Sequence, residues 1–297
     1  MSLKPITKGI AKMKFENSKD RAEIIQLANV FQKSRILLTA FELDVFSRIA
    51  NTGSTAEQIA GNDIKNIRAL KRLLNALHSL GLVKKEKESY FLTESSSAYL
   101  VKGKENYLEG LMHSVHLWNS WSKLTETVLN EVQPLKNEIN DRGEEWLRAF
   151  INAMHMRGRS RASEVAAYLD FSKVKKILDV GGGSAAFSTV FIESKPDMKA
   201  VVFDLPNVIP ITKEFISKDG MDDSIDTLTG NYLVDDLGDN YDMIFLSAII
   251  HSNSYKENEL LIEKCCEALN PEGQIVIVDY IMNEERTEPA AGAFFAI

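Results

Sequence analysis

The sequence predicts an α/β protein in which a doubly wound, mainly parallel sheet follows a largely helical N-terminal region. Three observations carry that prediction. From residue 174 onward, short apolar runs alternate with stretches of helical spacing. The first run, Ile177-Leu178, leads into Asp179-Val180-Gly181-Gly182-Gly183-Ser184, a glycine turn between a strand and a helix. The first hundred residues read as three helices followed by a hairpin.

At 297 residues the chain has room for two domains with real cores. Its 44% hydrophobic and 26% charged content is that of a soluble globular protein. No apolar run is long enough to span a bilayer, and residues 1–15 are basic without the apolar core of a signal peptide. The only cysteines, Cys265 and Cys266, are adjacent, which points to reduced thiols and a cytoplasmic location. No Cys or His spacing suits a metal. Residues 1–100 carry 16 Lys and Arg against 10 Asp and Glu, and the remainder carries 19 against 32. The basic excess is small and unclustered, so a solvated face or an acidic partner domain explains it better than nucleic acid does.

Residues 31–49 are amphipathic, with Ile36, Leu37, Ala40, Phe41 and Leu43 on or near one face. Ser54 with Glu57 three residues on marks a helix start. A third helix is expected over 66–80, carrying Leu70, Leu73, Leu74, Leu77 and Leu80 and stopped by Gly81. Leu82-Val83-Lys84-Lys85 and Tyr90-Phe91-Leu92 flank the turn Glu86-Lys87-Glu88, completing a winged helix. Residues 103–170 read as all-helical, with Leu117, Trp118, Trp121 and Leu124 on one helix. Trp146, Phe150 and Met154 fall at i, i+4 and i+8 on another, where core packing is the simpler reading of any one of them. Strands follow at 174–180, 200–203, 225–228, 243–248 and 274–280, the last entered through the turn Asn270-Pro271-Glu272-Gly273. Helices are expected over 207–218 and 257–269. The expected domains are therefore 1–102, a helical linking region 103–170, and 171–297.

The glycine turn also fits the dinucleotide pattern G-x-G-x-x-A, a weak signal alone. Asp179 argues against NAD, because a dinucleotide site usually has an apolar residue there, facing the pyrophosphate. A carboxylate suits a ligand with an ammonium group. Asp204 closes the second strand and is placed to accept from ribose hydroxyls, which supports a nucleoside without choosing between cofactors.

At this point the chain resembles the S-adenosylmethionine-dependent O-methyltransferases of the caffeic acid and acetylserotonin O-methyltransferase type. The resemblance rests on Asp179-Val180-Gly181-Gly182-Gly183, Phe203-Asp204-Leu205-Pro206, Gly230-Asn231-Tyr232, His251 and Leu269-Asn270-Pro271-Glu272-Gly273, in order, with the winged helix and the Phe150/Met154 helix before them. It implies a Rossmann-like methyltransferase sheet behind a winged-helix dimerisation domain, and hence a homodimer. It implies S-adenosylmethionine as cofactor, with Asp179, Gly181 and Gly183 at the methionyl part, Asp204 at the ribose and Leu205 against the adenine. Asn231 and Tyr232 stand where the family has Asp-Met near the adenine, and Ser247 where plant members carry a lysine near the cofactor. His251 would be the catalytic base, and Trp146, Phe150 and Met154 would line the acceptor pocket. The partner is then a small-molecule acceptor, to be sought among aromatic hydroxyl compounds, with no membrane and with nucleic acid the less favoured reading.

Such a base has a chemical reason. A phenol titrates near pH ~10 and is a poor nucleophile when protonated. Histidine has a pKa suited to taking that proton, while the cofactor is already activated for displacement. Ala185 replaces a glycine common in the family's loop. Ser252-Asn253 stand where plant members have Asp-Trp, so an acidic neighbour of the base is missing and C-methylation stays open. The resemblance also implies a further helix, two closing strands and an acidic residue supporting the histidine, so a truncated chain lacking its C-terminal strands is expected. Two other readings remain: a winged-helix DNA-binding regulator with a cofactor-sensing domain, on the strength of Arg68, Lys71 and Arg72, and a nicotinamide oxidoreductase.

Overall fold

In the structure, a computed structural model that describes residues 19–130 and 143–297, the chain divides into two units, Met1–Val101 and Lys102–Ile297. The basic start and the part of the helical region over 131–142 lie outside the described residues.

In the first unit, helix α1 (Arg21–Asn29) starts at a reciprocal cap between Asp20 and Glu23. Helix α2 spans Phe31–Glu42. The longer helix expected over 31–49 breaks because Asp44 takes a φ of 52°, which a right-handed helix cannot contain. A 3-10 turn, Phe46–Arg48, follows. Strand β1 (Ser54–Thr55) precedes α3 (Ala56–Ala60). The cap of α3 is Thr55 with Gln58, not Ser54 with Glu57; Ser54 instead accepts from the Ala50 amide and belongs to β1. Helix α4 (Ile67–Ser79) is capped by Asn66 and ends before Gly81, at φ 74°. It buries Leu70, Leu74 and Leu77, each contributing about 2 kcal/mol of transfer free energy. Strands β2 (Val83–Glu86) and β3 (Ser89–Leu92) form the hairpin, and α5 (Glu94–Tyr99) closes the unit. The sheet order β1-β3-β2 gives the wing a third strand, too short to leave a periodic signal in sequence.

The second unit opens with α6 (Leu111–Trp121), α7 (Leu124–Asn130) and α8 (Glu144–Ala166). Trp121 and Leu124 were expected on one helix; a break at Ser122 and Lys123 separates them, and Trp121 is exposed. Then come β4 (Lys176–Val180), α9 (Ala186–Ser194), β5 (Lys199–Asp204), α10 (Ile209–Lys218) and β6 (Ile225–Thr229). The chain ends with β7 (Tyr241–Ser247), a 3-10 turn at Ile250–Ser252, α11 (Tyr255–Ala268), β8 (Leu269–Val278) and α12 (Ala290–Phe295).

The five strands pair in parallel in the order β6-β5-β4-β7-β8. Alternate residues supply two separate cores. Ile177, Val202, Met243 and Phe245 face one, with Phe191 of α9 and Ile216 of α10. Leu178, Phe203, Ile244 and Leu246 face the other, with Leu261 and Cys265 of α11. Burial on both faces is why these strands read as unbroken apolar runs. The turn expected at Asn270-Pro271-Glu272-Gly273 is a bulge within β8: Tyr241 pairs with Leu269, whereas Met243, two residues on, pairs with Gln274. Because the strand order reverses between β4 and β5 on one side and β4 and β7 on the other, the carboxyl ends of β4 and β7 face a crevice.

Candidate active site

The loop after β4 is pinned from every side. The Gly181 amide donates to the Phe203 carbonyl at 2.7 Å. The Gly183 amide donates to Asp204 Oδ2 at 2.8 Å, and the Gly183 carbonyl accepts from Thr212 Oγ1 at 2.6 Å. Gly181 and Gly183 have φ of 66° and 56°, a region that favours glycine. A Cβ on Gly181 would collide with Ile249 Cδ1, so the glycine also lets the segment after β7 approach. Ala185 holds a φ of 62° at the start of α9, and its methyl is fully buried in the core.

Two strand-end carboxylates support this loop. Asp179 is buried beneath Gly182, where a Cβ would stand 2.7 Å from Asp179 Cγ, and it accepts from Ser188 Oγ at 2.7 Å. Burial pushes its carboxyl up to about 7, and the nearby Asp204 adds to the rise. Asp204 Oδ1 accepts from the Leu205 amide at 2.7 Å, and burial pushes this group up to about 6. Each Asp204 oxygen thus spends one lone pair on backbone and keeps another, as a ribose diol requires. The loop, its φ values and the half-exposed Asp204 fit an adenosyl cofactor. Leu205, half-buried, packs against the buried cluster of Leu147, Ile151, Val208 and Ile211. Asn231 is exposed and its Oδ1 accepts from the Leu233 amide, closing its own loop. Tyr232 donates its hydroxyl to Asn253 Oδ1 at 3.0 Å. Ser247 ends β7, half-buried, opposite Val278.

His251 lies in the 3-10 turn just after β7. Its Nδ1 is 3.0 Å from both oxygens of Asp279, whose side chain is almost fully buried. A carboxylate only accepts, so Nδ1 is the nitrogen that donates, and the neutral tautomer this contact favours has its lone pair on Nε2. The Phe295 ring meets the imidazole edge to face at 4.7 Å. Asp279 is thus an acidic neighbour of His251, whereas the resemblance put one at the position of Ser252, where this sequence lacks it, and another past residue 297. Ser252 and Asn253 instead serve the turn, through the Ile249 carbonyl and Asn258. Asp279 could have been found from one signal: β4, β5 and β8 all carry an aspartate at or next to their carboxyl ends.

Trp146 and Phe150 stack at 5.2 Å on α8, and the His113 ring meets both edge to face. Met154 follows one turn on, half-buried. Sequence reasoning passed over His155, whose Nδ1 lies 3.0 Å from Ser184 Oγ in the glycine loop. Among the described residues no cluster could hold a metal ion, and no helix is long and apolar enough to cross a membrane.

A parallel sheet with a glycine loop at its switch point, a strand-end carboxylate beside that loop and a carboxylate-held histidine one strand away define a candidate cofactor-binding enzyme site. Residues 123–296 match the O-methyltransferase domain and residues 25–102 the O-methyltransferase dimerisation domain. The chain belongs to the O-methyltransferase family, whose enzymes draw the methyl group from S-adenosylmethionine. It is 27% identical over 280 residues to 3-hydroxy-5-methyl-1-naphthoate 3-O-methyltransferase of Streptomyces sahachiroi, covering 92% of this chain and 81% of the other. It is 25% identical over 292 residues to acetylserotonin O-methyltransferase of Gallus gallus, covering 92% and 84%. The human N-acetylserotonin methyltransferase structure in complex with SAM superposes with a TM-score of 0.79 at 23% identity, covering 94% and 86%.

Proposed function

We propose that this methyltransferase acts on a hydroxyl group of a small aromatic molecule, with His251 as the general base. The observation that carries the reading is the His251–Asp279 pair, set one strand away from the glycine loop. S-adenosylmethionine supplies an electrophilic methyl group, so the chain's task is alignment and proton removal. Asp204 would hold the ribose and Leu205 would lie against the adenine. Gly181 and Gly183 would admit the methionyl part, with Asp179 acting beneath the loop. Asn231, Tyr232 and Ser247 would border the adenosyl group. Trp146, Phe150 and Met154 would form the acceptor wall; stacked indole and phenyl faces suit a planar aromatic ring. Nε2 of His251 would then receive the acceptor's hydroxyl proton, and Asp279 would stabilise the resulting imidazolium.

The printed activities of the Streptomyces and chicken relatives, both O-methylations, support oxygen as the target. Asp279 weakens the case for carbon, which rested on a missing acid. The dimerisation-domain match supports a homodimer built through the first unit. The DNA-binding reading loses ground because Lys71 of α4 is held by Glu57 at 3.0 Å and Glu88 at 3.9 Å. The free thiols of Cys265 and Cys266 support a reducing, cytoplasmic setting, and the domain reading 1–102, 103–170 and 171–297 is kept as the functional division.

The test is calorimetry with S-adenosylmethionine followed by a methylation screen of phenolic compounds. His251→Ala should bind the cofactor like the wild type and lose about 10²–10⁴-fold in turnover. Unchanged turnover would remove His251 from the chemistry.

A further inference from the structure

Helix α8 presents two neighbouring faces. One carries Trp146, Phe150 and Met154. The other follows the glycine loop: Ile151 Cδ1 lies 3.7 Å from where a Cβ on Gly183 would stand, and a Cβ on Gly158 would stand 3.0 Å from the Ala186 Cβ. Between those two apolar contacts His155 Nδ1 meets Ser184 Oγ at 3.0 Å. Ser184 is buried, and the residue after it holds the left-handed conformation that starts α9. The imidazole is fixed from behind by Phe215 of α10, with ring centroids 4.3 Å apart and planes 24° apart. Burial holds its pKa below the ordinary histidine value; Asp219, just past α10, opposes this, and Arg159 of α8 and Lys218 of α10 lower it further. A neutral ring is thus locked between α10 and the loop, on the helix that carries the acceptor wall.

We propose that His155 is a positioning residue which ties the cofactor loop to the acceptor-lining helix, so that filling the loop sets the acceptor wall. The proposal rests on the methyltransferase reading above. His155 fixes Ser184, and through it the turn between Gly183 and Ala185. Any shift of that turn on cofactor binding passes to α8 and moves Trp146, about two and a half turns away along the same helix. No proton or bond changes hands, and the ring acts through geometry alone.

The experiment uses the full chain with Trp118→Phe and Trp121→Phe, leaving Trp146 as its sole tryptophan, and S-adenosylhomocysteine as an unreactive probe. In this background binding should change Trp146 emission. His155→Ala and Ser184→Ala should each weaken binding about tenfold, the double substitution should weaken it no further, and saturating probe should no longer change the emission. With S-adenosylmethionine and an acceptor, the KM for the cofactor should rise more than kcat falls. His155→Asn, which keeps a polar atom near the Nδ1 position, should recover most of the affinity and serves if the alanine variant does not fold. Additive losses, unchanged affinity, or an emission change that survives in His155→Ala would overturn the proposal. Failure of the parent protein to bind the probe would instead sink the methyltransferase reading.

Discussion

At the end of β4 the chain is held by its backbone; one strand away, at the end of β7, it is held by a pair of side chains. The first turn spends the Gly181 and Gly183 amides, the Gly183 carbonyl, the buried Asp179 and the half-exposed Asp204 on fixing itself. The second leaves His251 in an exposed turn, and one buried aspartate orients it. A binding loop that must fit a fixed cofactor gains from being complete beforehand. A histidine acting as a base, the role proposed for His251, needs one fixed nitrogen and one open nitrogen, and little else.

The difference can be broken at either end. Among substitutions that leave His251 in place, Asp279→Asn should have the largest effect: the amide can donate to Nδ1, which moves the ring proton to Nε2 and removes the lone pair that the base role proposed for His251 requires. Turnover should fall about a hundredfold while cofactor affinity holds. Equal loss of affinity would mean the two turns are not separable. Asp204→Asn should do the reverse. One amide hydrogen would face the Gly183 or Leu205 N–H, and cofactor affinity should fall about tenfold by calorimetry. Turnover at saturating cofactor should change less.

Next in size is the pH dependence of the ligand-free fold. Asp179 and Asp204 have folded pKa values raised above the carboxylate value of 3.8, to about 7 and about 6. The protonated fold is therefore favoured, and stability should fall as pH rises from about 4 to about 7. Asp179→Asn should flatten that slope and leave the protein about 1–3 kcal/mol more stable than wild type at pH 8, read by urea denaturation. An unchanged slope would show that the buried carboxylate carries no such penalty. Ala185→Gly should matter least. Relief of the left-handed backbone, about 1 kcal/mol, is offset by loss of a buried methyl group, about 0.8 kcal/mol, so the thermal midpoint should barely move.

The same contrast explains what could be read from sequence. The backbone-built turn was legible because its chemistry is local: glycines, Asp179 and Asp204 stand beside the strands they end. Helix α4 was legible for a similar reason, since Asn66 and Gly81 act on their own neighbours. Local signals also misled where two groups competed for one job, as Ser54 and Thr55 did for the cap of α3. They were silent at Asp44, whose left-handed φ ends a pattern that still looks helical. The side-chain-built turn was half legible. His251 follows a strand and stands out, but Asp279 is brought to it only by the parallel register that sets Ser247 against Val278. His155 was hidden for the same reason: its partner Ser184 lies across a helix packing that no spacing in the chain announces.

The missing side chain at Gly181 carries a consequence for anyone redesigning this enzyme. Ile249 Cδ1 occupies the space where a side chain at position 181 would start, and the backbone there holds a φ of 66°. Enlarging residue 181 would therefore strain the turn after β4 and displace the Ile249 side chain at once. Shortening Ile249 would open that space without touching the backbone of the glycine turn, which makes position 249 the gentler place to begin a library.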